Sequence, residues 1–71
     1  MRFPKPAQIR AARAFLGWRQ VDLAGRTGLS EITIKLIEQG RSSPKVATME
    51  KIEAAFRSEG VEFDDCVIMH C

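Results

Sequence analysis

Residues 20–39 read QVDLAGRTGLSEITIKLIEQ, two short amphipathic segments joined through a glycine. Leu23 and Ala24 supply the apolar positions of the first segment, and Ile34 and Ile37 supply those of the second. Apolar residues at these spacings come together on one face of a helix. Each segment therefore predicts a helix with one buried side and one exposed side.

The connection between the two segments carries its own signals. Gly28 closes the first helix, Gln20 to Thr27, at a position where left-handed backbone is favoured. Ser30 opens the second helix, which runs to about Gln39, because its hydroxyl can accept from the free amides of the first turn. A turn this short lets the two helices meet at a steep angle and leaves the outer face of the second one projecting.

Further helices are predicted on either side of this pair. One runs from about Ala7 to Leu16, and the other runs from about Lys45 to Ser58. Pro6 and Pro44 are each placed to start one of them, since the first helical position tolerates proline. Their apolar residues recur at helical spacing: Ile9, Ala12 and Leu16 in the first, and Met49, Ile52, Ala55 and Phe56 in the last.

The sequence changes character after Gly60. Two β-prone runs flank Asp64 and Asp65, which predicts a hairpin or an edge strand. The expected fold is therefore mostly α, a compact four-helix domain with a short C-terminal β-strand or hairpin. We divide the chain into an N-terminal arm (residues 1–6), a helical domain (7–60) and a β-prone tail (61–71).

Charge is distributed unevenly along the chain. Residues 1–45 carry nine basic and three acidic side chains, a net charge of +6, whereas residues 46–71 carry two basic and six acidic ones, a net charge of −4. A chain needs such asymmetry if one of its surfaces must approach a polyanion while another stays away from it. Chance clustering of solvated charges is the alternative explanation.

Length and composition exclude several classes of protein. A chain of 71 residues forms one domain with a small core and has no room for a deep substrate pocket. We expect neither an enzyme nor a cofactor or small-molecule ligand, because the one histidine, near the end of the chain, cannot assemble a catalytic site. No apolar run is long enough to span a bilayer and no signal-peptide pattern is present, so we expect a cytoplasmic protein.

Two other groups of residues have more than one interpretation. Cys66, His70 and Cys71 are potential metal ligands, but they lack a paired knuckle, so we expect no metal and two reduced thiols. Phe15 and Trp18 could form a platform for stacking bases. We expect them instead to pack in the core or at its rim, where aromatic residues dominate small domains.

Several stretches agree in residue type and spacing with a known family. They are Arg19 to Ala24, Thr27 to Ser30, Ile34, Ile37 to Arg41, and Pro44. With them, residues 7–58 resemble the DNA-binding domain of phage Cro and repressor proteins, also called the Xre family. The resemblance implies a lambda repressor-like helix-turn-helix fold. It also implies a bacterial or phage transcription regulator that binds double-stranded DNA and associates with the nucleoid.

The resemblance further implies roles by position, with the second helix of the motif in the major groove. The residues that would face the base edges, or the groove wall beside them, are Glu31, Ile32, Thr33, Lys35 and Leu36. The residues that would contact phosphates on either side of the groove are Arg19, Gln20, Ser30, Gln39 and Arg41. Gln20 would also brace the recognition helix.

Arg13 and Glu38 match two family positions that form a partly buried ion pair. The resemblance implies that this pair clamps the first helix to the end of the third and removes Glu38 from the surface presented to DNA. The chain departs from the family at Ile32 and Leu36, where many members carry polar residues. These two side chains either pack on thymine methyl groups or complete a core or an interface.

One recognition helix reads only a short site, so we expect a homodimer on a near-palindromic operator, with its two recognition helices about 34 Å apart. The candidate dimerisation residues lie in the tail and are Val61, Phe63, Val67, Ile68 and Met69. An unpaired β-edge could be completed by a second copy. In the alternative, the tail folds back along the first and fourth helices of its own chain.

The sequence thus predicts a sequence-specific DNA-binding regulator of transcription, a dimeric repressor. The alternative is an interaction protein built on the same fold, an antiactivator or an antitoxin. The apolar residues Ile32 and Leu36 motivate that alternative, because they could meet a protein partner.

Overall fold

The computed structural model describes residues 3–63 and 68–70, with side chains up to residue 63. Its helices are α1 (Pro6–Leu16), α2 (Gln20–Thr27), α3 (Glu31–Glu38) and α4 (Val46–Arg57). Two strands follow, β1 (Val61–Phe63) and β2 (Ile68–His70), and they pair as an antiparallel hairpin in which Val61 lies opposite His70. The predicted four-helix fold with a C-terminal hairpin is confirmed.

The helix boundaries follow the capping residues. Gly28 has a left-handed backbone (φ 76°), and its amide donates to the Ala24 carbonyl over 2.9 Å, which ends α2. The Ser30 hydroxyl accepts from the Thr33 amide over 3.1 Å, which satisfies one of the free donors at the start of α3. Pro6 is the first residue of α1, as predicted.

Pro44 departs from its predicted position. It was expected to start the fourth helix, but α4 begins two residues later, at Val46. Lys45 occupies the N-cap position with an extended backbone (φ −69°, ψ 158°), so the chain is not yet helical at Pro44.

One core joins the four helices and the first strand. Its buried side chains are Ile9, Ala12, Leu23, Ala24, Ile34, Ile37, Met49, Ile52, Ala55, Phe56 and Val61. Leu16 was predicted on the same face of α1, and it is partly buried against this core. Periodicity therefore identified the inward face of every helix. Among the described residues, no helix is both long enough and apolar enough to cross a membrane.

Aromatic rings extend the core to the surface near the start of α2. The Trp18 ring stacks on Phe56 with 5.4 Å between centroids, and Phe63 meets Phe56 edge to face at 5.5 Å. The Arg26 guanidinium lies over the Trp18 ring, 4.4 Å from its centroid. Phe15, by contrast, is 58% exposed, so Trp18 packs on the core as predicted and Phe15 does not.

The two described strands of the tail pack against helices of their own chain. Val61 is 1% exposed within the core, β1 packs against α4, and β2 packs against α1. The placement of Val61 at a dimer interface is therefore wrong, because its side chain is already buried by its own helices. Phe63 is half-buried against Phe56. The predicted turn at residues 64–65, Val67, and the side chains of Ile68 and Met69 lie outside the described residues.

We predict that Val61→Ala lowers the free energy of unfolding by about 1.5–3 kcal/mol, since it removes two buried methyl groups and leaves a cavity. Val46→Ala is the matched control: Val46 is 60% exposed, and the same change there should stay within about 0.5 kcal/mol. Urea denaturation followed by circular dichroism measures both. Equal effects from the two variants would show that the tail is not part of the folded core.

Candidate nucleic-acid interface

The outer face of α3 is exposed and carries both apolar and charged side chains. Ile34 and Ile37 turn inward and are 1% and 3% exposed, which fixes the rotation of the helix about its axis. The opposite face carries Glu31, Ile32, Lys35 and Leu36, all of them exposed. Ile32 is 71% exposed and Leu36 is 38% exposed. Neither side chain is buried in the core, so core packing does not explain the apolar character of this face.

A buried carboxylate holds the C-terminal end of α3. The Glu38 residue is 1% exposed, and its two oxygens accept from Arg13 Nε over 2.8 Å and from Arg13 Nη2 over 3.1 Å. Gln20 Nε2 donates to the same carboxylate over 3.2 Å. Arg13 Nη1 also donates to the Trp18 carbonyl over 3.0 Å. A two-pronged contact of this kind fixes both distance and orientation.

Arg10 completes this arrangement by donating from Nη1 to the backbone carbonyl of Glu38. That carbonyl belongs to the last turn of α3, where helical carbonyls lack partners inside the helix and favour a cation. We call Arg10, Arg13, Gln20 and Glu38 the Glu38 cluster. It joins α1, the start of α2 and the end of α3 through one carboxylate and its own carbonyl.

The role of Arg10 was not predicted from the sequence. The available signal was its spacing, since residues three apart on a helix lie on the same face and Arg10 precedes Arg13 by three. Gln20 was expected to bind phosphate and brace the recognition helix, and its amide group contacts Glu38. The Arg13–Glu38 pair, implied by the family resemblance, is present in the structure.

Arg19 lies at the start of α2 and pairs with Asp22 one turn later. The Asp22 carboxylate accepts from the Arg19 backbone amide over 2.8 Å and from Arg19 Nε over 3.2 Å. These hydrogen bonds, the backbone one first, hold the pKa of Asp22 below its usual value, and the side-chain bond raises the pKa of Arg19. Both groups are therefore charged at neutral pH, and Asp22 offsets part of the charge that Arg19 could offer to a phosphate.

Ser30 and Thr33 serve the N-terminus of α3. Their hydroxyl oxygens are 2.8 Å apart and share a hydrogen bond, while the Ser30 hydroxyl also caps the Thr33 amide. Thr33 is half-buried, so it is the least accessible of the five predicted base-reading residues. The Thr33 hydroxyl can contact a base only if it shares its hydrogen bond with Ser30 or breaks it.

The segment after α3 is basic and exposed. Gln39, Arg41 and Lys45 all lie at the surface, and Lys35 precedes them on the outer face of α3. The Arg41 amide donates to the Leu36 carbonyl over 3.0 Å, which holds this segment against the end of the helix. Three exposed cations therefore lie on α3 or just beyond it, on the same part of the chain as the apolar residues Ile32 and Leu36.

Within the residues the structure describes, no group of three or more His, Cys, Asp or Glu side chains could hold a metal ion. The described residues do not include the potential metal ligands that the sequence offered, which are Cys66, Cys71 and the side chain of His70.

Comparison with known proteins extends these observations. A family model described as Helix-turn-helix matches residues 9–63. Similar proteins include two named as uncharacterized HTH-type transcriptional regulators, from Mycobacterium bovis and Mycobacterium tuberculosis. Each is 38% identical over 47 residues, which cover 66% of this chain and 18% of the relative. The chain therefore spans less than a fifth of the length of these relatives.

We predict that Arg13→Met lowers the free energy of unfolding by about 3–5 kcal/mol, because it leaves the buried Glu38 carboxylate without its charged partner. Arg19→Met is the matched control. It breaks an exposed pair, in which the Arg19 side chain is 79% exposed, and should cost no more than about 1 kcal/mol. Chemical denaturation measures the free energy of unfolding of both variants. Equal losses would show that the Glu38 cluster stabilises the fold no more than an exposed ion pair does.

Proposed function

The chain belongs to the Xre family of helix-turn-helix domains, and on that premise we propose that it binds double-stranded DNA and regulates transcription. The observation that carries the proposal is the exposed outer face of α3, which is held in a fixed orientation by its buried inner face and by the Glu38 cluster. An α-helix presented in this way fits the width of the major groove.

Charge supports DNA as the partner. Lys35, Arg41 and Lys45 are exposed on or just after α3, and the chain up to residue 45 has a net charge of +6. Each cation set against a phosphate releases condensed counterions, so affinity should fall steeply as salt rises. The acidic half of the chain contributes α4 and the tail, and we infer that this side faces away from the DNA.

The proposed roles separate into positioning and reading. Phosphate contacts are assigned to Arg19, Gln20, Ser30, Gln39 and Arg41. Base contacts are assigned to Glu31, Ile32, Thr33, Lys35 and Leu36. Arg41 is the strongest phosphate candidate because it is exposed and pairs with no carboxylate among the described ion pairs. Arg19 and Gln20 already contact Asp22 and Glu38, so they would add phosphate contacts to an existing structural role.

We further propose a homodimer that represses by occupying a near-palindromic operator in the cytoplasm, on the nucleoid. Two copies are needed because one short helix contacts too few bases to discriminate well. The tail remains the candidate dimerisation element through its strand edges, since β1 and β2 form a sheet with no third strand among the described residues. A groove of about 260 Å³ lies beside β1 and is lined by Glu53, Arg57, Val61, Glu62 and Phe63. We assign the contact with a second copy to the accessible side chains of this groove and not to the buried Val61.

A protein partner is the second candidate for the same surface, as for an antiactivator or an antitoxin. The 71% exposure of Ile32 favours it, because large apolar side chains on a surface often mark a protein interface. The exposed cations on and after α3 favour DNA instead. Copurification from the host distinguishes DNA from a protein as the partner of this surface. A protein partner is supported if a stoichiometric protein copurifies with the wild type and with Arg41→Ala but is lost from Leu36→Asp.

The test of DNA binding begins with selection of duplexes from a random library, followed by fluorescence anisotropy titrations at several salt concentrations. We predict that the selected site contains an inverted repeat and that Arg41→Ala weakens binding to selected and scrambled duplexes alike. The same change should reduce the dependence of log affinity on log salt by about 0.9 for each bound copy, the value of one phosphate contact, and therefore by about 1.8 for a dimer. Glu31→Ala should instead change which sequence is preferred.

Lys51→Ala is the matched control for Arg41→Ala, because it removes an exposed cation from α4, outside both the proposed interface and the groove beside β1. It should leave both affinity and salt dependence unchanged. Equal losses from all three variants on every duplex would refute the division into positioning and reading residues. Absence of selective binding, with the fold intact, would refute the proposed function itself.

A further inference from the structure

The apolar pair Ile32 and Leu36 lies where a reading helix needs contacts with bases. The two residues are four apart on α3, which places their side chains on one face with Cβ atoms about 5–6 Å apart. They are 71% and 38% exposed, whereas the inward positions are filled by Ile34 and Ile37. The pair is therefore available to a partner without any change to the core.

Few polar side chains on this face of α3 are placed to form hydrogen bonds with bases. The Thr33 hydroxyl shares a hydrogen bond with Ser30, and Thr33 is half-buried. Glu31 lies at the first position of α3, one residue before Ile32, and Lys35 is a flexible cation between the two apolar residues. Hydrogen bonding to bases does not account for the two exposed aliphatic side chains, Ile32 and Leu36, on this face.

Each base pair presents a distinct set of groups in the major groove, and the thymine 5-methyl is the apolar one. Neighbouring bases on one strand are about 3.4 Å apart along the helix axis. Two side chains about 5–6 Å apart can thus reach methyl groups one or two base pairs apart. Lys35 on the same face, with Arg41 and Lys45 beyond it, supplies the charge complementarity that favours DNA as the occupant of this surface.

We propose that Ile32 and Leu36 give this chain its preference for thymine at particular positions of its site, by packing on thymine 5-methyl groups in the major groove. The proposal rests on the proposed function, because it names the chemical group that the same surface reads. It assigns this preference to the two positions of α3 at which many members of the family carry polar residues.

Replacement of thymine by uracil tests the proposal, since it removes only the methyl group and leaves base pairing unchanged. The probe is the duplex selected from a random library, together with copies in which each thymine in turn is replaced by deoxyuridine. At sensitive positions we expect wild-type affinity to fall about fourfold for each methyl lost, the change expected for burial of one such group. Fluorescence anisotropy at one fixed salt concentration measures it.

Variants connect the effect to the two side chains. The Ile32→Ala variant should not distinguish thymine from uracil at the position that Ile32 contacts. The Leu36→Ala variant should not distinguish them at the position that Leu36 contacts. Phe15→Ala is the control, because it removes an exposed apolar side chain from α1 and should preserve the wild-type difference. Ile32→Ala carries the test even if Leu36→Ala unfolds, since Ile32 is the more exposed of the two. Circular dichroism checks the fold of each variant.

Three results would overturn the proposal. If the wild type binds thymine and uracil duplexes equally but still prefers the selected site, methyl reading fails while the proposed function stands. If Ile32→Ala and Leu36→Ala both keep the difference, other residues read the methyl. If the wild type does not prefer the selected duplex to a scrambled one, the proposed function fails as well.

Discussion

The buried carboxylate of Glu38 is the constraint on which the rest of the structure depends. An ionised carboxylate removed from water is costly unless charged donors surround it. Here two nitrogens of Arg13 and one of Gln20 reach its oxygens, and Arg10 reaches its backbone carbonyl. Among described residues, no buried polar side-chain atom lacks a hydrogen-bond partner. Because the donors come from two other helices, satisfying this one group fixes how α1, α2 and α3 are arranged.

That constraint explains how so small a domain can present a well-defined surface. A helix of eight residues is too short to be stable alone, so the orientation of α3 must come from its surroundings. Ile34 and Ile37 anchor its inner side in the core, and the Glu38 cluster anchors its C-terminal end. The outer side makes no contribution to the core and is left free to carry recognition chemistry. The residues that stabilise the fold and the residues proposed to contact bases therefore lie on opposite faces of α3.

The aromatic stack has a parallel role in joining α2, α4 and β1. Trp18 follows α1, rests on Phe56 from α4, and lies under Arg26 from α2. Arg26 also pairs with Glu59 after α4, at 3.3 Å. Phe63 then ties β1 to the same ring of Phe56. The first strand of the tail is in this way joined to the helical core, as in the alternative to dimerisation that the sequence left open.

Local physics explains which features the sequence predicted. Helix faces and the caps at Gly28 and Ser30 depend on residues within one or two turns, so periodicity and capping chemistry identified them. Arg13 and Glu38 are 25 positions apart, and only the family resemblance paired them. Contacts set by tertiary packing were missed. Val61 reads as an exposed β-prone residue until α4 is placed beside it, and the carbonyl that Arg10 reaches carries no sequence signal.

The central claim is that the outer face of α3, held by the Glu38 cluster, is the surface that meets DNA. Titration of the ¹⁵N-labelled chain with the selected duplex, followed by amide chemical shifts, tests it most directly. The account predicts that the largest changes occur in residues 30–41 and at the start of α2, with little change in residues 49–63. Changes concentrated in α4 and the hairpin, or spread evenly over the chain, would contradict it.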